Sequence, residues 1–426
     1  MFTGFKEIVE NRHEHIRNLR AQRNKKVIAY LCSYVPEELI YAAGIIPVRI
    51  MSNEETPALA DRYMQSYYCT FARSILHQGI KGDYDYLDGL VTAYTCTTMR
   101  LAFDNWHRAV KLPFYRFLVI PSIIDTPEAA TYYLKELQRF RKDLEDLIGH
   151  PIADDDIWEA LRTYDTNRNL IMKLFEYRKL DNPLVTGLEA FQVTLSGMLT
   201  DKNDHNRMLE NVLKDITGRD DTQPCVGRLM LVGSPVDNLH LLSLIENLGA
   251  IVVTDDTCTG TRYLFGTTPL DMYDDPLEAI VHRYLISRVP CPTKYSPTRW
   301  VQCTTCPFRE ASCFSMSPDS RETMPGDHPF SMPERVCRFR HMLQLAVNHK
   351  VEGVIAVLHK FCDPHGYDYH HVNQVFESVG VPTLFLEEEN VIAEGQLLTR
   401  VQAFLEMLQP VEYLIEPGIL DVVTSA

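Results

Sequence analysis

Short apolar runs alternate with amphipathic stretches along the first quarter of the chain. Each run has the length of a buried parallel strand, because strands covered on both faces read as continuous apolar segments. The runs lie at 27–31, 45–51, 87–93 and 117–121. Helical spacing of apolar residues at 66–80 and 97–110 separates the later runs. Strands separated by helices of this length predict βαβ units on one parallel sheet.

The pattern changes between residue 126 and about residue 218. Long amphipathic segments at 130–148 and 156–179 dominate this part, and no run in it reads as a convincing strand. Its length is that of a small domain. We therefore predict a helical insertion that connects two other units.

A second α/β unit begins with the apolar run at residue 228. The strands and helices predicted behind it lie at 239–248, 251–254, 335–348, 353–358, 370–379, 382–386 and 396–408. A long loop rich in Pro, Ser, Thr and Cys, at 292–333, interrupts this unit. Loops of that length inside a compact domain are usually functional or disordered.

The whole pattern predicts an α/β fold with two lobes, whose parallel sheets flank a cleft. The domains expected are an N-terminal α/β lobe at 1–125, a helical connecting domain at 126–225 and a C-terminal α/β lobe at 226–426. Both lobes repeat the order strand, helix, strand and cysteine at a turn. Lobes of this kind that face each other would bring their turns together.

Composition restricts the class of protein. With 45% hydrophobic and 23% charged residues, the chain has the composition of a globular protein. It contains no apolar run of the roughly 18 residues that a membrane helix needs, and its first residues lack the layout of a signal peptide. A net charge of −15 argues against nucleic acid as the main partner. We expect a cytoplasmic protein without a membrane partner. In that compartment, the 11 cysteines are expected to be thiols or metal ligands rather than disulfides.

Cysteines occupy the positions where this fold places its chemistry. Cys69, Cys96 and Cys362 lie at predicted transitions into helices, and the last two follow apolar runs. In doubly wound sheets, ligands collect beyond the carboxyl ends of the strands. Soft thiolates that converge there favour an iron-sulfur cluster over a disulfide, with unrelated buried cysteines as the plain alternative.

Other common catalytic motifs are missing from the sequence. The run that begins at residue 228 continues into Gly233-Ser234-Pro235, where a dinucleotide fold has G-x-G-x-x-G. The chain also has no G-x-S-x-G elbow and no H-E-x-x-H helix. The cysteines therefore remain the main candidates for chemistry.

Four ordered segments resemble the 2-hydroxyacyl-CoA dehydratase and benzoyl-CoA reductase family. They are YLCSYVPEELIYAAGIIPV at 30–48, DDTCTGTRY at 255–263, KFCDPHGYD at 360–368 and GQLLTRVQAFLEML at 395–408. The resemblance spans about residues 25–410. It is specific for the family and much less specific for the substrate.

The resemblance implies two Rossmann-like lobes and an oxygen-sensitive [4Fe-4S] cluster. By position, its three cysteine ligands correspond to Cys69, Cys96 and Cys362. It further implies an acyl-CoA substrate, an ATP-dependent activator protein that supplies low-potential electrons, and a second homologous large subunit or a homodimer. The enzyme would be a radical-type (R)-2-hydroxyacyl-CoA dehydratase, a lyase, or a benzoyl-CoA reductase, an oxidoreductase.

A second group of cysteines leaves the cluster type open. Cys32, Cys258 and Cys291 look like cysteines of a family branch that carries a double-cubane [8Fe-9S] cluster. They are either further metal ligands or neighbours of a single cluster. The alternative functions are a homodimeric double-cubane reductase of small molecules and a non-catalytic electron-relay subunit.

Several residues are candidates for supporting roles. Arg100, one helical turn after Cys96, is a candidate for stabilising a thioester oxygen, and His365 for moving protons. The plain alternatives are a salt-bridged surface arginine and a residue of a helix start. We also expect Arg100, Arg262 and Arg400 to line a basic channel for the phosphates of coenzyme A.

The loop cysteines Cys303, Cys306 and Cys313 have no counterpart in the family pattern. Their C-x-x-C spacing with a third cysteine suits zinc or an additional cluster, and it equally suits cysteines that bind nothing. Their role stays open.

Overall fold

Eight parallel strands in the described part of the chain form two separate sheets. The computed structural model describes residues 1–124, 126–219, 225–294, 338–389 and 394–411. The strands are β1 (Val27–Tyr30), β2 (Ile46–Arg49), β3 (Gly89–Ala93), β4 (Phe114–Leu118), β5 (Gly227–Gly233), β6 (Ala250–Asp256), β7 (Gly353–His359) and β8 (Thr383–Glu388). The prediction of an α/β fold with two Rossmann-like lobes is confirmed.

The two sheets have the same topology. The first has the order β2-β1-β3-β4 and the second β6-β5-β7-β8, so the first strand of each lobe pairs with its second and third. Within each sheet the strand order reverses between the first and the third strand. This is the switch point beside which open α/β sheets form their ligand crevice.

Helices connect the strands and fill the middle of the chain. The α-helices before residue 220 are α1 (Thr3–Glu10), α2 (Arg12–Arg23), α3 (Glu37–Ala42), α4 (Thr70–Lys81), α5 (Thr97–Ala109), α6 (Pro127–Ile148), α7 (Asp154–Phe175), α8 (Gly187–Gly197) and α9 (Lys202–Asp215). Those after it are α10 (Leu239–Asn247), α11 (Thr261–Leu264), α12 (Pro276–His282), α13 (Arg338–Asn348), α14 (Asp363–Glu377) and α15 (Glu394–Met407), with a π-helix at Arg283–Ser287.

The central part of the chain is helical, as its pattern indicates. Residues 126–219 contain α6 to α9 and no strand. Helix α7 packs against α3 of the first lobe and against α9, while α8 packs against β6 of the second lobe. The domain boundaries expected near residues 125 and 225 remain predictions. None of the helices in the described ranges is long and apolar enough to cross a bilayer.

Local differences from the predicted elements have physical reasons. Strand β4 begins at Phe114, earlier than the run at 117–121, because it is a half-buried edge strand without a continuous apolar signature. Helix α4 begins at Thr70 and not at residue 66, since Cys69 has non-helical angles and stands at its N-cap. Helix α14 begins at Asp363, ahead of the expected 370–379, with a proline in its first turn.

Candidate functional site

The two lobes meet in contacts near the ends of their strands. The backbone N–H of Thr70 donates a hydrogen bond to the carbonyl oxygen of Lys360 at 3.2 Å. The N–H and the hydroxyl of Ser52, just after β2, donate to the carboxylate of Asp237 at 2.6 and 2.7 Å. The carboxyl ends of both sheets therefore border one region.

Three of the predicted ligand cysteines occupy the same local position. Cys69, Cys96 and Cys362 are the N-cap residues of α4, α5 and α14. The sulfur of Cys96 accepts a hydrogen bond from the backbone N–H of Met99 at 3.5 Å. Helix N-termini carry unpaired N–H groups and a partial positive charge, so they stabilise anions such as thiolates.

The thiols of Cys69 and Cys362 interact with each other across the two lobes. Donation of the Cys69 S–H to Cys362, followed by burial, raises the pKa of Cys69 well above its ordinary value. The same bond lowers the pKa of Cys362 to about 6, with help from a hydrogen bond from Ser234 and from the backbone N–H of His365. The two thiols therefore titrate as a pair, and their interaction favours loss of the first proton.

Cys96 lies within electrostatic reach of both groups of cysteines. Burial raises the pKa of Cys96 to about 12, partly opposed by the Met99 N–H, and the charges of Cys362, Cys291 and Cys32 raise it further. Among the residues with described positions, no three His, Cys, Asp or Glu side chains lie close enough to hold a single metal ion. A cluster differs from such a site, because it spreads its thiolates over several irons.

Cys32, Cys258 and Cys291 form a second thiol set. Cys32 follows β1 and Cys258 follows β6, again at carboxyl ends of strands, while Cys291 comes shortly after the π-helix. Burial raises the pKa of Cys258, the charges of Arg49 and Arg262 lower it, and those of Cys32 and Cys291 raise it. These couplings indicate that Cys32 and Cys291 both lie within electrostatic reach of Cys258.

Cationic side chains adjoin the second thiol set. The ring of Tyr34 has the guanidinium of Arg288 at 4.5 Å and the ammonium of Lys294 at 5.6 Å from its centroid. The hydroxyl of Tyr34 accepts a hydrogen bond from the N–H of Cys291 at 3.2 Å. Burial lowers the pKa of Lys294 to about 8, against the charges of Cys32 and Cys291.

The two predicted catalytic side chains differ in their surroundings. His365 is buried, and burial with the charges of Arg262 and Arg338 lowers its pKa well below the ordinary value. Its imidazole is therefore neutral at neutral pH. Arg100 is 60% exposed and lies 3.8 Å from the carboxylate of Asp104.

The three arginines expected in a basic channel do not share one environment. Arg262 is fully buried, and its guanidinium binds the carboxylate of Asp256 at 2.7 Å. Arg400 is exposed and donates to the carbonyl oxygen of Phe385 at 2.5 Å. Of the three, Arg100 and Arg400 are thus the ones that solvent reaches.

Part of the predicted site lies outside the described residues. This applies to the loop cysteines Cys303, Cys306 and Cys313 and to nearly all of the loop at 292–333.

Sequence reasoning missed several residues that lie next to the thiols. Arg49 is the last residue of a buried strand, where the apolar pattern gives no sign of a charge with a role. Ser234 follows directly after β5, in a segment without any known motif. Lys294 and Arg288 flank Cys291 in the sequence, and this proximity is the one signal that was available.

Comparison with known proteins gives a consistent family. The sequence profile described as 2-hydroxyglutaryl-CoA dehydratase, D-component, matches residues 32–304 and 324–408. The chain is 25% identical to the (R)-phenyllactyl-CoA dehydratase beta subunit of Clostridium sporogenes, over 96% of this chain and 98% of that protein. It is 25% identical to a benzoyl-CoA reductase subunit of Thauera aromatica, over 81% and 80% of the two chains. It is 23% identical to the (R)-2-hydroxyglutaryl-CoA dehydratase beta subunit of Acidaminococcus fermentans, over 91% and 93%.

Proposed function

Since the chain belongs to the 2-hydroxyglutaryl-CoA dehydratase D-component family, we propose that it is an iron-sulfur subunit of an enzyme that acts on acyl-CoA. The enzyme is either a radical-type (R)-2-hydroxyacyl-CoA dehydratase or a benzoyl-CoA reductase, because similar chains carry both names. The observation that carries the proposal is the contact between Cys69 and Cys362 across the lobes, with Cys96 within electrostatic reach.

The donor set suits a [4Fe-4S] cluster. Cys69, Cys96 and Cys362 offer soft thiol ligands, each at a helix N-terminus, where a thiolate is stabilised. The interaction with Cys69 lowers the pKa of Cys362, which favours the thiolate form that a ligand requires. A cluster bound by three cysteines supplies an iron with an open coordination position and an electron at low potential.

The groups around the thiols have three different roles in this proposal: orienting the sulfurs, hydrogen bonding without added charge, and binding an anionic oxygen. The N–H groups of Met99 and His365 orient the sulfurs of Cys96 and Cys362. The neutral imidazole of His365 accepts or donates a hydrogen bond without adding charge. Arg100, exposed near the start of α5, is available to an anionic oxygen of the substrate.

The partners and the compartment follow from the same proposal. The substrate is an acyl-CoA thioester, and the electrons come from an ATP-dependent activator protein. Three of the similar proteins are named as subunits, which supports assembly with a second homologous large subunit or with a second copy. An oxygen-sensitive cluster and the net charge of −15 fit a cytoplasmic enzyme without nucleic acid or membrane partners.

The test is anaerobic purification of the full chain with quantitation of iron and sulfide. We expect about four irons per chain, and loss of the iron in C69A, C96A and C362A. C225A serves as the control, because Cys225 bonds the carbonyl oxygen of Gly227 at the start of β5. Wild-type protein without iron, or variants that keep the full content, would refute the proposal.

A second assay separates the two activities. The loaded protein, with partner subunit and reduced activator, is incubated with a 2-hydroxyacyl-CoA or with an aromatic acyl-CoA. Loss of water from the first identifies a dehydratase, and ring reduction of the second identifies a reductase. Turnover of neither, with the cluster intact, supports the electron-relay subunit.

The second thiol set favours one further candidate. Cys32 and Cys291 each lie within electrostatic reach of Cys258 and of Cys96. This grouping suits a double-cubane [8Fe-9S] cluster in a homodimeric reductase of small molecules. About eight irons per chain, lost in part in C258A, would establish this candidate in place of the first.

A further inference from the structure

Arg49 is a buried cation without an ordinary partner. Its side chain lies at the end of β2 and is 3% exposed. The guanidinium atoms Nε and Nη1 are fully buried, and neither has a hydrogen-bond partner among the described residues. The centroid of the Tyr30 ring lies 5.6 Å from the guanidinium carbon. A buried charge left this way costs several kcal/mol unless something compensates it.

The groups that face Arg49 identify the compensating charge. Burial lowers the pKa of Arg49, but nearby groups outweigh this effect and raise it. The largest raising contributions come from Cys258 and Cys32, followed by Tyr30 and Asp237. Asp237 already accepts two hydrogen bonds from Ser52. The thiols of the second set are therefore the main groups that could offset the guanidinium charge. Burial raises the pKa of Cys258, so this thiol is protonated in the metal-free protein at neutral pH and becomes anionic only as a ligand of a bound group.

Two more cations of this region also lack a carboxylate contact. The ammonium of Lys294 donates to the carbonyl oxygens of Tyr94 and Ile120, at 2.9 and 3.1 Å. The guanidinium of Arg288 donates to the backbone oxygen and the hydroxyl of Ser33. The hydrogen bonds that the described chain gives these two cations thus go to uncharged oxygens. Positive charge thus accumulates around Cys32 and Cys291.

The first three cysteines have a different environment. The pKa of Cys69 and that of Cys362 are shifted chiefly by their mutual hydrogen bond and by burial. That of Cys96 is shifted by burial and the Met99 N–H. Arginine charges act instead on Cys258 of the second set. The two sets therefore differ in the positive charge beside them.

We propose that Arg49 is a positioning residue that compensates the negative charge that Cys32 and Cys258 carry as ligands of a bound iron-sulfur cluster. The inference rests on the proposed function and adds to it. Arg49 touches neither substrate nor reacting atoms in this role. Its positive charge stabilises the more negative, reduced state of the bound group and so raises its midpoint potential.

The variant R49M tests this with two measurements of opposite sign. Metal-free R49M should melt at a higher temperature than metal-free wild type, because an apolar side chain replaces an uncompensated buried cation. Iron-loaded R49M should have a more negative midpoint potential in an EPR-monitored redox titration. R49K keeps the charge and should restore most of the wild-type potential.

R168M is the matched control for loss of a buried arginine. Arg168 binds Glu38 and Asp165 at 2.8 Å each, so its removal should lower the melting temperature of the metal-free protein. Its effect on the midpoint potential should be smaller than that of R49M, because the guanidinium already has two carboxylate partners.

The outcomes separate this inference from the proposed function. Wild-type protein without iron overturns the proposed function and this inference with it. Loaded R49M with an unchanged potential overturns the inference alone, and so does metal-free R49M that melts below wild type. A shifted potential that R49K does not restore also counts against it, because charge would then not be the cause.

Discussion

The buried network around Arg168 links stability to the thiol site and offers the sharpest test of the fold. Arg168 on α7 donates to Glu38 at 2.8 Å and to Asp165 at 2.8 Å. Glu38 also accepts a hydrogen bond from the hydroxyl of Tyr284 at 2.8 Å. The network thus joins helix α3, which follows Cys32, to α7 and to the π-helix.

We expect R168M to destabilise the metal-free protein by about 3–5 kcal/mol at neutral pH, because removing one partner of a buried ion pair leaves the other charge uncompensated. The side chains of Arg168 and Glu38 are 6% and 0% exposed, so both charges are shielded from water. The double variant R168M/E38Q should recover part of the loss, since it removes one of the two stranded carboxylates.

The destabilisation caused by R168M should also depend on pH, and it should increase as pH rises. Burial raises the pKa of Glu38, but the charge and hydrogen bond of Arg168 outweigh it and leave that pKa below 4.5. In wild type, this pair stabilises the fold above pH 4.5 and is lost as pH falls through the lowered pKa. In R168M the two largest causes that lower the pKa of Glu38 are gone, and burial then outweighs the remaining charge of Arg283 and the backbone hydrogen bond. The variant therefore favours the protonated carboxyl and is destabilised as pH rises above 4.5.

Urea unfolding of both proteins at about pH 5 and about pH 7.5 measures this difference. The midpoint and the slope are compared at each pH, because a changed slope would indicate a changed unfolding mechanism. A penalty below about 1 kcal/mol at the higher pH would contradict the reasoning, since it is the cost expected of exposed pairs. A loss of unfolding free energy in R168M that becomes larger towards low pH would contradict the expected direction of the pH dependence.

Two further predictions concern packing and thiol chemistry. A Cβ added at Gly79 would lie 2.5 Å from the ring of Trp106, so G79A should lower the free energy of unfolding by about 1–3 kcal/mol in urea. G366A is the control, because a Cβ there has nothing within 4 Å, and it should be neutral or slightly stabilising. In metal-free protein, Cys362 should be alkylated by iodoacetamide with a half-maximal rate near pH 6, since its hydrogen bond with Cys69 lowers the pKa to about 6. C69A should move this midpoint to higher pH in peptide mass spectrometry, and an unmoved midpoint would exclude the bond as the cause.

Most of the fold could be predicted because its strands are covered on both faces. Strands such as β3 and β7 are buried at every residue, so they appear in the sequence as apolar runs. Their carboxyl ends then predict where Cys96 and Cys362 stand. The start of strand β4 was not predicted correctly, because an edge strand with half-buried residues lacks a continuous apolar run.

The apolar periodicity does not specify contacts between the lobes, and only the family resemblance implied that cysteines of both lobes share one site. Cys69 follows a turn and not a strand, so no pattern specifies that its sulfur reaches Cys362. The sequence pattern also does not predict the surroundings of Arg262 and Arg49. One binds a buried carboxylate and the other faces thiols, although both look like plain arginines beside apolar segments. Such differences arise from tertiary packing, which periodicity does not encode.

The order of synthesis gives the contact between the lobes a consequence for assembly. Chains emerge from the ribosome with the N-terminal part first, and domains generally fold as units. Cys69 and Cys96 are therefore made long before β7 and Cys362 exist. Until the last lobe docks, Cys69 lacks the partner that raises its pKa, and its neighbour Thr70 lacks the bond to Lys360. The Cys69 thiol therefore reaches its native environment only after translation has ended, and any group held by both lobes can be bound only by the completed chain.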